Sequence, residues 1–143
     1  MQLTTQAIIR ISEALQHFDK PAEPYKIAGP VRMAMAKNLS RLNEVMNAYV
    51  AERNRLIRDL AAGGNQVPGD KMGEFETKQQ MLLDAQHDVN LIRFREEQFQ
   101  LEANPVPVWV LTALMPIMIV ANNDDEGAVP AGTAVATAAP SVR

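Results

Sequence analysis

The chain has 143 residues, 14 of them basic and 17 acidic, for a formal charge of −3; nucleic acid is not expected as its main partner, because phosphate binding rests on clustered Lys and Arg. There is no cysteine, which excludes disulfides, thiol catalysis and zinc–cysteine sites and is compatible with a reducing cytoplasm. Aromatic residues make up only 5%, and the aliphatic remainder of the apolar set suits helix-on-helix packing better than a sandwich or barrel.

Met1 to Phe18 is amphipathic and lacks the basic start and unbroken apolar run of a signal peptide. Thr4 and Thr5 are candidate N-caps for a first helix near residues 5–18, with Ile8, Ile11, Leu15 and Phe18 on one face at spacings of 3, 4 and 3. Pro21, Pro24, Gly29 and Pro30 then punctuate the chain.

A second helix is predicted from about Pro30 to Ala62, opened by the proline and closed by Gly63-Gly64. Met35, Leu39, Leu42, Met46, Tyr49, Arg53, Leu56 and Leu60 follow one another at alternating spacings of 4 and 3. That is a heptad seam, broken in kind only at Arg53. The helix is long for so small a domain, so part of its seam is expected to pack on another chain. In a dry contact Arg53 would need a carboxylate, or its stem would carry the charge out to water.

A third helix is predicted near 70–87, with Met72, Phe75, Leu82 and Val89 on a weaker face and Gln79 and Gln86 at the intervening positions. The short loop before it makes the two helices an αα-hairpin. From Asp88 the period changes: Val89, Leu91, Phe94, Phe99 and Leu101 read as extended chain with room for one or two short strands. Asn104-Pro105 opens the last apolar element, in which Trp109, Val110, Ala113 and Leu114 suit a short helix before Pro116. The uncharged run Pro105 to Ala121 is too short and proline-rich for a membrane span and reads as buried or interface sequence. From Asn122 to Arg143 the composition turns to Ala, Gly, Pro, Thr and Val, and no autonomous structure is expected there.

The fold expected is therefore mainly α. A long-helix αα-hairpin is joined by a short N-terminal helix and an extended segment with short strands in a helical domain over 1–121. A non-globular tail follows over 122–143.

No residue pattern calls for catalysis. Gly63-Gly64 is not followed by a phosphate-binding signature. His17 has Asp19 nearby, and His87 has Asp84 and Asp88. His87 and Asp84 share a face if the helix reaches that far, but no third metal ligand is local, and both histidines read as surface or capping residues. Glu74/Glu76, Glu96/Glu97 and Asp124/Asp125 read as solvated acids; glycosidase chemistry needs two carboxyls held across a cleft. Arg32, Lys37, Arg41, Arg53, Arg55 and Arg58 outnumber Glu44, Glu52 and Asp59 on the second helix. They are spread around it and read as ion-pair partners before phosphate contacts. Met33, Met35, Met46, Met72, Met81, Met115 and Met118 fit either core filling or an adaptable binding face. Asn38-Leu39-Ser40 matches a glycosylation sequon but lies within the helix.

The order of pieces carries a resemblance. Thr4-Thr5 begins a short helix; Tyr25-Lys26-Ile27 precedes Val31-Arg32-Met33-Ala34-Met35-Ala36-Lys37-Asn38-Leu39; a long charged helix ends in a Gly loop; Phe75 leads an acidic helix; and Val106-Pro107-Val108 leads through Leu111 and Leu114 to Met115-Pro116-Ile117. Over roughly residues 1–120 this resembles small helical proteins encoded in tailed-bacteriophage structural gene clusters, mostly without an assigned role. The resemblance implies a structural virion protein of the head, neck or internal core, acting by protein–protein packing without cofactor, metal or catalytic residues. Its partners would be other virion proteins or copies of itself, and its location the virion, assembled in host cytoplasm. The alternatives are a soluble cytoplasmic assembly chaperone or adaptor and, further off, a nucleic-acid-binding accessory. The interface expected is the seam of Met35, Leu39, Leu42, Met46, Tyr49, Arg53, Leu56 and Leu60, with Trp109 and Leu114 anchoring the C-terminal element.

Overall fold

A computed structural model describes residues 1–19 and 25–119; the expected tail over 122–143 and the prolines at 21 and 24 lie outside the described residues. The described chain is mainly helical. Its helices are α1 (Thr5–His17), α2 (Gly29–Ala61), α3 (Met72–Asp84) and α4 (Val108–Leu114), and its short strands are β1 (Gln2–Thr4), β2 (Gln86–Asp88), β3 (Phe94–Arg95) and β4 (Met118–Ile119).

α2 is the spine. Its 33 residues span about 50 Å, whereas α1 and α3, at 13 residues each, reach about 20 Å. The two short helices lie end to end along it. α3 returns along the C-terminal half, where the Arg53 guanidinium donates to the Gln79 side-chain oxygen at 3.0 Å and stacks 5.6 Å from the Phe75 ring centroid. α1 covers the N-terminal half and ends where Asp19 stands 3.9 Å from Arg32. At the junction the Thr5 N–H donates to the Ala85 carbonyl at 3.0 Å, and β1 pairs antiparallel with β2, Leu3 opposite His87.

Local chemistry sets the helix ends. Thr4 caps α1 through its hydroxyl, which accepts from the Ala7 N–H at 3.1 Å. Thr5 is instead buried, its hydroxyl 2.8 Å from His87 Nε2. Pro30 sits in the first turn of α2, where its missing N–H costs nothing. At the other end Ala62 adopts a left-handed conformation, φ 51°, which a Cβ disfavours. Replacing Ala62 by Gly is expected to raise stability by about 0.5–1 kcal/mol in urea unfolding.

The structure corrects one expectation. The third helix does not run to residue 87: it stops at Asp84, because residues 86–88 complete a ladder with the N-terminal strand that a helix could not offer. The seam of α2 is covered in part by this same chain. Met35, Leu42 and Leu60 are buried, and Leu39, Met46, Tyr49, Arg53 and Leu56 are half-buried, all within this one chain. α1 covers the first part of the spine and α3 the last.

The core lies between α1, the first half of α2, the 91–99 segment and α4. Ile8, Ile11, Leu15 and Phe18 of the predicted α1 face enter it together with Leu42, Phe94, Phe99, Val110, Leu114 and Ile117. The segment over 89–104 is irregular, and its polar backbone must still find partners. Two buried asparagines supply them. The Asn38 carboxamide donates to the Ile92 carbonyl at 2.9 Å and accepts from the Ile92 N–H at 2.8 Å. The Asn104 oxygen accepts from the Lys26 N–H at 2.7 Å, and its amide donates to the Lys26 and Phe99 carbonyls at 3.0 and 2.9 Å. β3 then pairs parallel with β4, Phe94 opposite Met118, so the strand of this segment finds its partner inside the chain.

Candidate protein-docking face

α4 has the sequence VWVLTAL, apolar on every side but for one threonine. A helix of that composition is ordinarily enclosed on all sides. Among the described residues only one side of it is enclosed. Val110 and Leu114 point inward against α1 and are fully buried, as is Ile117 just beyond. The outward side carries Val108, 78% exposed, and Trp109, 51% exposed, and Met115 follows at 65%. Pro107 and Pro116 bound this element, which fixes it as a short ridge.

Between this ridge and α1 runs an open groove of about 710 Å³. Ala7, Arg10 and Glu13 line it from α1, and Trp109, Thr112 and Ala113 line it from α4. Arg10 and Glu13 are exposed, and neither is ion-paired with a described residue. Trp109 is backed by an aromatic chain reaching into the core. Its ring meets His17 edge-on at 5.7 Å, His17 lies against Tyr25 at 5.4 Å, and Phe18 bridges Tyr25 and Phe99 at 5.1 and 5.6 Å. Rigid backing of this kind lowers the entropy a binding aromatic must lose.

His17, expected as a surface or capping residue, is instead buried in the last turn of α1. It is 8% exposed, with Nε2 2.6 Å from the Tyr25 hydroxyl, while Asp19 faces Arg32. His87 meets Thr5 and stands on a strand, not on a helix beside Asp84. Among the described residues no three of His, Asp or Glu gather closely enough to hold a metal ion, and no helix is long and apolar enough to cross a membrane.

Of the residues expected at an interface, Met35, Leu42, Leu60 and Leu114 are enclosed by their own chain and offer no surface while it stays folded. Leu39, Met46, Tyr49, Arg53 and Leu56 keep a partly open edge, and Trp109 stands open. Val108 and Met115 lie in the run Pro105 to Ala121 expected as buried or interface sequence but are not singled out there, and the α1 side of the groove is not expected at all. The signal available for them is the absence of any charge from Val106 to Ile119, too long a run for one inward face of a short helix to use up.

The remaining charges of the hairpin are solvated. The Lys78 ammonium, 2.9 Å from Glu74, hydrogen-bonds that carboxyl and attracts it electrostatically, holding it below the usual range; an exposed pair of this kind adds little to stability. Arg41 donates to the Asn90 carbonyl at 2.7 Å, and Arg53 to Gln79, so these two cations are occupied by neutral oxygens. Comparisons with protein-family models, curated proteins and solved structures find no match to this chain.

Proposed function

We propose that this chain is a structural, protein-binding component of a tailed-phage particle, placed in the head, neck or internal core. It works by packing against other virion proteins or copies of itself, and it needs no cofactor and catalyses no reaction. The observation that carries the binding role is the outward side of α4. Val108, Trp109 and Met115 hold apolar surface in water beside a groove, and a projecting aromatic over a firm base is the usual form of an interface anchor. The assignment to a phage particle rests on the order of pieces from Thr4-Thr5 to Met115-Pro116-Ile117.

Mass spectrometry of purified particles of the phage encoding the chain tests this. The expected result is a fixed copy number per particle that survives high-salt washing. A second reading, a soluble assembly chaperone or adaptor, is favoured by the exposure of Met33, Met72, Met81 and Met115, since flexible thioethers suit transient contacts. Presence in assembly intermediates and absence from finished particles would support that reading and overturn the first.

A further inference from the structure

The α1/α4 face carries opposite features on one surface. Val108, Trp109 and Met115 project from it, while the adjoining groove, which Val108 and Trp109 also line, is set with Ala7 and Ala113 among its polar residues. A surface with both a projecting aromatic and an open groove beside it can mate with itself. About a two-fold axis each feature of one copy meets its complement on the other.

The charges obey the same rule. Arg10 and Glu13 lie three residues apart on α1 and share its outer side. Both line the groove, and neither has an ion-pair partner among the described residues. About a two-fold axis passing between them, Arg10 of each copy would face Glu13 of the partner subunit, so a single face could supply two matched pairs.

We infer that the α1/α4 face is the interface of a two-fold homodimer. Trp109 of each copy seats in the groove between α1 and α4 of the other, and two Arg10–Glu13 pairs set the register at its rim. This deepens the reading of the chain as a packing component by naming its first partner as a second copy.

The test is light scattering on the full chain over a concentration series, for wild type, R10E, E13R and an equimolar mixture of the two variants. Both substitutions are at exposed positions, and circular dichroism confirms that each variant keeps its helices. Wild type is expected to dimerise, and each single reversal to weaken dimerisation by about tenfold or more, because like charges then face each other twice. The mixture is expected to recover the wild-type mass, since one copy then presents two acids and the other two bases. A wild-type monomer at every concentration overturns the inference, as does a dimer indifferent to both reversals or a mixture that fails to recover. A chain that dimerises only after removal of residues 122–143 also overturns it, by placing the chain's own C-terminal segment in the groove. A monomeric chain that is nonetheless present in purified particles overturns the homodimer alone and leaves the structural role standing.

Discussion

Leu42→Asp is expected to unfold the chain rather than merely to prevent its assembly. Leu42 has no exposed surface and lies in the core cluster with Ile8, Ile11, Leu15, Phe94 and Leu114. Removing a buried Leu side chain costs about 2–5 kcal/mol. Burying a carboxyl group without a partner adds several more, even after it takes up a proton. A domain of this size holds roughly 5–15 kcal/mol in total, so the two losses together reach the whole. Far-UV circular dichroism and gel filtration at neutral pH are expected to show loss of helix and an expanded or aggregated chain. A variant with wild-type helix content that fails only to associate would place Leu42 between chains and contradict its place in the core.

Asn38→Ala is expected to cost about 2–4 kcal/mol, because the Ile92 N–H and carbonyl lose their partner together and each orphaned group costs about 1–3 kcal/mol. For a domain of this size that corresponds to a fall in melting temperature of roughly 8–16 °C. The hairpin of α2 and α3 does not depend on this contact. The loss should therefore appear first in the 89–95 segment, as faster amide exchange there than in α3. A change of less than about 0.5 kcal/mol, within the scatter of neutral surface substitutions, would mean that the carboxamide clamp contributes nothing net.

These two residues show what is legible in the sequence. The stripe from Met35 to Leu60 identifies the buried side of α2 correctly, because an apolar period of 3.5 residues has no other cheap use. What covers that stripe cannot be read from it. Burial by α1, by α3 or by another chain leaves the same pattern in α2, and in the folded chain α1 and α3 divide the spine between them. The face of Ile8, Ile11, Leu15 and Phe18 is equally legible and is wholly buried.

Asn38 is not legible as structure. Within its helix it reads as a polar position inside a sequon, and its partner Ile92 lies 54 residues away. Asn104 reads as the residue before a proline, and its partner Lys26 is 78 residues away. Short strands hide for another reason. Gln2–Thr4 and Gln86–Asp88 are each three residues long, too short for an alternating pattern to declare itself. The proposed docking face is half legible. Trp109 stands out by type, whereas Leu114, expected to anchor the element beside it, is the inward side of the same helix.

The most direct test of the claim that the α1/α4 face joins two copies of the chain is the solution mass of wild type and Trp109→Ser across a concentration series. Trp109 is half exposed, so the substitution should keep the helix content, while loss of its packing on His17 lowers the melting transition by several degrees. The wild-type mass is predicted to rise to twice that of a single chain, and the variant to stay at one. Equal masses for the two proteins at every concentration would contradict that claim.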